Sequence, residues 1–291
     1  MVYLEQVNSI IGFEFPPMAF HYTERDVALY ALSIGAPDNW LSADDLKFVY
    51  EMSAIDFQVI PSFASLFSGS MIDSIVSGRI GELEFNPMML VHGEQSIQIH
   101  QPLATSAQVI SYPRIIAAYD KGSGLLIETE VLSKDQDDQL LSTAIASMFI
   151  RGLGGFGGER GTSTALSLPL RQADAIEDYQ TSVNQALLYR LNGDINPLHA
   201  DPAMAGVGGF DRPILHGLCT YGIATRAVIK HFAANDADKV KSIQARFSRH
   251  VFPGERLRTE MWQVEDDQIM FQTRILDRDE IALSQALIQL H

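Results

Sequence analysis

The chain repeats itself. Thr23-Glu24-Arg25-Asp26 and Ser182-Val183-Asn184-Gln185 both read as capping boxes. In each, a hydroxyl residue is followed three positions on by a side chain able to reach back to the cap N–H. Each box opens a short apolar helical run, 27–32 in one case and 186–191 in the other. Tyr30 and Tyr189 stand 159 residues apart, and at that offset Asp26 meets Gln185, Leu29 meets Leu188 and Leu32 meets Leu191. An apolar middle and several strand-like segments follow both runs. Such a duplication restricts the fold, because two copies of one unit must bury equivalent faces.

The first copy has an irregular stretch at 41–90, rich in Met and Phe, then strand-like segments at 91–100, 108–118, 125–132 and 142–150. Turn chemistry separates them, notably Asp120-Lys121-Gly122-Ser123-Gly124 and Asp135-Gln136-Asp137-Asp138. The second copy holds a longer helical pattern at 216–232, with Leu218, Tyr221, Ile223, Val228, Ile229 and Phe232 tracing a broad apolar face. Strands are expected at 242–248, 256–264, 269–276 and 281–290, and residues before about 18 read as an extended lead-in. The division this implies is a first half at 1–151, a glycine-rich and polar linker at 152–180, and a second half at 181–291. Gly152, Gly154 and Gly157 spell G-x-G-x-x-G, but Glu159-Arg160-Gly161-Thr162 follows and opens no helix. A dinucleotide site needs strand, glycines and helix in succession, so the run reads as linker.

A net charge of −15 argues against nucleic acid as a partner, since phosphate binding needs a basic face. No apolar run reaches membrane-spanning length. The single cysteine, Cys219, excludes an internal disulfide and suits a reducing cytoplasm. The ending Ile-Gln-Leu-His is not a peroxisomal address of the Ser-Lys-Leu type; a cytoplasmic location is expected, with the peroxisome as the alternative in a eukaryote.

One stretch of the second half concentrates chemistry: Tyr189-Arg190-Leu191-Asn192-Gly193-Asp194-Ile195-Asn196-Pro197-Leu198-His199. A glycine that permits a sharp turn and a proline that forbids helix constrain it. Asp201-Pro202 then reads as an N-cap and N1, so His199 lies just before a new helix. A carboxyl and an imidazole displayed this way can hold opposite protonation states near neutral pH, as proton transfer requires. The loop by itself equally fits a turn in which Asp194 caps backbone and His199 is a satisfied polar residue. At the repeat offset Asp194 falls on Gly35 and His199 on Trp40, so the first half keeps the pattern without the acid and base.

This stretch resembles the motif of the R-specific 2-enoyl-CoA hydratases, the hydratase 2 or MaoC-like dehydratase family. The resemblance continues through Phe210-Asp211-Arg212-Pro213-Ile214-Leu215-His216-Gly217, His92-Gly93-Glu94-Gln95, the 120–124 turn, the glycine run and Ala245-Arg246-Phe247. It spans nearly the whole chain and is closest to the two-halved hydratase part of peroxisomal multifunctional enzyme type 2. It implies an α+β double hot-dog fold, each half a long helix wrapped by an antiparallel sheet.

It also implies a reaction. Hydrating an enoyl thioester needs an activated water, a proton for the α carbon and a stabilised thioester oxyanion. By resemblance Asp194 and His199 activate the water and move the proton, and Asn196 orients the water or the aspartate. Gly217 offers its backbone N–H to the oxyanion at a helix start. Glu51 and Tyr189 match further positions tied to activity, either chemical or supporting. His92, Gly93, Lys121 and Phe247 match positions that contact the CoA ester. Lys121 equally fits an ordinary turn lysine, and Phe247 plain core. His216 reads as a polar residue near the helix start, and Cys219 as core. Asp194, His199 and His216 match no common metal spacing, so no metal is expected. Nor is a cofactor, CoA being part of the substrate. A homodimer is the implied assembly. The rivals are a thioesterase on the same fold and a non-catalytic acyl-CoA-binding relative.

Overall fold

The computed structural model describes residues 4–68, 77–162 and 165–291. Its strands are β1 (Met18–Tyr22), β2 (Arg79–Ile80), β3 (Leu83–Glu84), β4 (Leu90–Ile99), β5 (Ala107–Asp120) and β6 (Gly124–Lys134). They continue with β7 (Leu140–Arg151), β8 (Ala175–Gln180), β9 (Val240–Phe247), β10 (Arg256–Glu265), β11 (Gln268–Ile275) and β12 (Glu280–Leu290). Ten of them form one sheet in the order β1-β5-β6-β7-β4-β9-β12-β11-β10-β8, while β2 and β3 pair separately. Read from either edge inward, the two halves give the same succession. They meet at β4 and β9, which run antiparallel with Glu94 opposite Arg246. The Arg246 guanidinium donates to the Glu94 carboxylate there, Nε to Oε1 at 2.7 Å.

The helices are α1 (Leu4–Ile10), α2 (Glu24–Ser33), α3 (Ala43–Leu46), α4 (Gln185–Tyr189), α5 (Pro202–Val207) and α6 (Gly217–Phe232). The expected box opens α2: the Thr23 N–H and hydroxyl both donate to Asp26 Oδ2, at 2.9 and 2.8 Å. At α4 only half the box forms, the Ser182 N–H donating to Gln185 Oε1 at 3.0 Å. Residues 219–229 of α6 are all buried, Arg226 among them with its guanidinium paired to Asp38. It packs on β8 to β12 and on a 3-10 helix, Pro61–Ser68, of the first half. That 3-10 helix lies against β4, β5 and β7 as α6 lies on its own strands. Among the described residues the first half has no helix as long as α6; residues 69–76 lie outside them.

One apolar core therefore runs through both halves, joining Tyr22, Tyr30, Phe63 and Phe67 to Tyr189, Tyr221, Ile229 and Phe271. A second cluster holds Val7, Ile10, Phe15, Ile80, Leu83, Ile115 and Leu125. It accounts for a difference from the expected extended lead-in. Val7 and Ile10 sit three apart on α1 and are buried together, so packing holds a helix there despite polar Asn8 and Ser9. The linker also ends sooner than 180, because β8 starts at Ala175 and pairs with β10. Ile176 and Tyr179 flank adjacent Glu177 and Asp178, so no period-2 apolar pattern marks this edge strand in the sequence.

The glycine run has a structural task. Asp120 Oδ1 accepts from the Gly122 and Gly155 N–H groups at 2.8 Å each, and Oδ2 from Gly157 at 2.9 Å. Backbone amides gathered around one anion form a nest, and here the chain's own carboxylate fills it. Those bonds hold the Asp120 carboxyl below its usual range. Among the described residues no helix is long and apolar enough to cross a membrane.

Candidate active site

The 189–199 stretch folds as α4, a 3-10 turn Arg190–Asn192, a sharp reversal at Gly193 and a second 3-10 turn Pro197–His199. Gly193 has φ +117°, which a side chain would strain. The Asn196 side chain caps the second turn, Oδ1 accepting from the Leu198 N–H at 3.0 Å. The Asn196 N–H in turn donates to Asp194 Oδ1 at 3.2 Å. This leaves the Asn196 amide NH₂ and the second Asp194 oxygen for other partners.

His199 is 9% exposed, and its ring stacks on that of His216 with centroids 3.8 Å apart. Its Nδ1 donates to the Ile214 carbonyl at 2.9 Å, so the lone pair sits on Nε2, where a base needs it. Burial pushes the His199 imidazole below its ordinary range, against the opposing pull of the Asp194 charge and the Ile214 carbonyl. His216 is 1% exposed and precedes α6 as its N-cap residue. Its Nε2 lies 3.2 Å from the Asp194 carbonyl and 4.0 Å from Asp194 Oδ2. Burial and the neighbouring His199 push its pKa down to about 2, so it is neutral.

Ligand-type atoms of Asp194, His199 and His216 all lie within 4.8 Å of one another. Three such groups could be imagined around a metal ion. Yet His216 Nε2 needs its proton to donate to the Asp194 carbonyl, and His199 Nδ1 is committed to Ile214. The His216 atom that faces Asp194 is therefore an N–H and not a lone pair. The set suits proton transfer better.

Beside it α6 begins. The first N–H groups of a helix have no partner within it and carry partial positive charge. Gly217 leaves that end open: a Cβ there would stand 3.0 Å from Phe247 Cδ1. The site thus combines a carboxylate, an imidazole with a free lone pair and a helix start bare of side chain.

Two family models match the chain, one described as the MFE-2 hydratase 2 N-terminal domain over residues 20–152 and one as a MaoC like domain over 166–284. A probable enoyl-CoA hydratase 2 of Dictyostelium discoideum is 44% identical over 92% of this chain and 90% of that protein. The chain belongs to the hydratase 2 family of MaoC-like dehydratases. The peroxisomal multifunctional enzyme type 2 of Mus musculus is 41% identical over 96% of the chain, which spans 38% of that longer protein. Among solved structures, a MaoC-like dehydratase from Phytophthora capsici superposes with a TM-score of 0.88, covering 100% of this chain and 98% of that one at 34% identity. The double hot-dog architecture read from the sequence is the one observed.

Within this hydratase 2 fold the remaining candidates separate. His92 packs against Phe247, ring centroids 4.7 Å apart and planes tilted by 59°, and Phe247 lies over Gly217. Burial pushes the His92 pKa down to about 4. Gly93 sits where β4 shifts register between His92 and Glu94, with the Ser147 carbonyl 3.3 Å from where a Cβ would be. Tyr189 is fully buried between Tyr30 and His216, and burial pushes its hydroxyl well above its ordinary pKa. Lys121 stands apart on the β5–β6 turn, donating to the Arg160 carbonyl at 2.5 Å with the Tyr119 ring 5.2 Å away. Glu51 is exposed on an open hollow beside α2, lined by Glu24, Arg25, Ala28 and Leu32, and makes no side-chain hydrogen bond or ion pair among the described residues. The structure brings neither Lys121 nor Glu51 to the Asp194–His199 cluster. It does bring His216, whose position directly before the helix-start glycine was the only sequence signal.

Proposed function

We propose that this chain hydrates trans-2-enoyl-CoA thioesters to (3R)-3-hydroxyacyl-CoA and catalyses the reverse dehydration. The observation that carries the reading is the Asp194 carboxylate set against His199, whose free Nε2 is fixed by Nδ1 bonding, beside the open helix start at Gly217. A water held between Asp194 and His199, with the Asn196 amide orienting it, gives a proton to the pair as its oxygen adds to C3. The pair returns a proton to C2, so one water is consumed and nothing else is gained or lost. The negative charge that develops on the thioester oxygen is met by the Gly217 N–H. His216 and Tyr189 support the loop from below. Glu51, His92, Gly93, Lys121 and Phe247 are assigned to shaping or contacting the acyl and CoA parts of the substrate. No resident cofactor enters these steps. A homodimer in a reducing compartment, cytoplasm or peroxisome, completes the proposal.

The test is a panel of trans-2-enoyl-CoA esters with product and free thiol both measured. A 3R-hydroxyacyl product without thiol release is expected. Asp194→Asn and His199→Gln should each lower kcat by about 10²–10⁴-fold while the fold persists, the usual cost of losing a proton-transfer group. Thiol release without hydration would make the chain a thioesterase; tight binding without turnover would make it a binding protein.

A further inference from the structure

Ser33 and Asn192 are 159 residues apart, the offset of the repeat, and they touch. Asn192 Nδ2 donates to Ser33 Oγ at 2.9 Å. Tyr30 and Tyr189, the same distance apart in sequence, have ring centroids separated by 6.1 Å. Equivalent residues that contact one another lie on the pseudo-twofold axis relating the halves. The local bonding is also repeated. The Ser33 hydroxyl donates to the Tyr30 carbonyl at 2.7 Å, and Asn192 Nδ2 donates to the Tyr189 carbonyl at 2.8 Å.

The symmetry fails in what comes next in the chain. After Ser33 come Ile34 and Gly35, with no acid. After Asn192 comes Gly193 at φ +117° and then Asp194. That glycine costs the backbone the most freedom on ordering, and the bonds that hold Asp194 beyond it are the two 3.2 Å contacts from Asn196 and His216. The anchor on the other side is firm. Ser33 is fully buried, and its carbonyl accepts from Gln185 Nε2 at 2.6 Å.

We infer that Asn192 is a positioning residue for the hydration step, fixing the start of the catalytic loop against Ser33 of the half that lacks an acid and base. The first half then serves the chemistry by holding the loop as well as by shaping a pocket. Both amide N–H groups of Asn192 are spent on this, one on each half. The inference rests on Asp194 and His199 carrying the reaction.

The experiment is a kinetic double-mutant cycle on the full chain. Asn192→Ala should lower kcat by about tenfold to a hundredfold with KM changed by less than about threefold, since misplacement of about 1 Å carries costs of that order. Ser33→Ala leaves the loop's own sequence intact and should lower kcat in the same direction by a smaller factor. The double variant should be no slower than Asn192→Ala alone, because one bond has been removed twice. Thr273→Val, which breaks a buried hydroxyl pair with Thr259 in the distant β10–β11 hairpin, is the stability control and should lower Tm while keeping kcat. Should Asn192→Ala fail to fold, Ser33→Ala decides alone. Normal kcat in Ser33→Ala, additive losses in the double variant, or a rise in KM without loss of kcat would each overturn the inference. Full activity in Asp194→Asn would instead overturn the assignment of the chemistry, and is read independently of the Asn192 series.

Discussion

His199 Nδ1 donates to the Ile214 carbonyl, so its reactivity depends on whether Nε2 is free or protonated. Burial holds its pKa below the ordinary imidazole value of about 6.5. The neutral, basic form therefore persists through neutral and mildly acid pH, and the acid limb of the rate profile should lie below that value. The sign of the Asp194 contribution can be tested separately. The carboxylate charge favours the imidazolium and raises the His199 pKa; in Asp194→Asn that pull is gone and the titration should move to still lower pH. An NMR titration of the His199 ring in both proteins measures it, and an upward move would mean that Asp194 does not face this imidazole as a charge. The acid, amide and base were legible in the sequence because they share one short loop. His216 was not, since nothing in the chain says that the segment before α6 folds under that loop and stacks on His199.

The start of α6 depends on Gly217 having no side chain. A Cβ would stand 3.0 and 3.1 Å from Phe247 Cδ1 and Cε1, and that ring is already packed on His92. Gly217→Ala should therefore close the approach to the helix N–H, lowering kcat/KM by about 10²–10³-fold, the usual effect of losing one oxyanion donor. Tm should change little, because alanine is the better helix former. Phe247→Leu in the same chain should restore part of the activity by making room. Steady-state kinetics on the three variants decides it: a fully active Gly217→Ala would put the thioester oxygen elsewhere. At this scale β4 to β7 and β9 to β12 were readable from turn chemistry and the central helix from its apolar breadth, while the short β1 to β3 were not placed. The β4–β9 junction was not, because a period-2 pattern gives a strand its faces and says nothing about a partner some 150 residues away. Edge strand β8 escaped for a related reason, its exposed alternate residues making it read as polar linker.

Across the whole molecule the halves share one sheet, one core and one pseudo-axis, yet only the second carries an acid and a base. The first half's counterpart of Asp194 is Gly35, and its surroundings exclude an acid physically. Gly35 has φ +90°, and a Cβ on it would lie 2.3 Å from the ring of Tyr179. That tyrosine is held in place by its hydroxyl donating to Gln185 Oε1 at 3.2 Å. The counterpart of His199 is Trp40, 71% exposed and so turned out to solvent. Neither glycine nor tryptophan exchanges protons near neutral pH. The prediction is one active site per chain. Calorimetric titration with a saturated acyl-CoA, which has no double bond to hydrate, should saturate at one equivalent per 291-residue chain, and His199→Gln should bind that equivalent with nearly unchanged affinity while losing most of its turnover. Two equivalents, with turnover surviving in His199→Gln, would mean that the first half also hydrates and that Tyr179 does not block it.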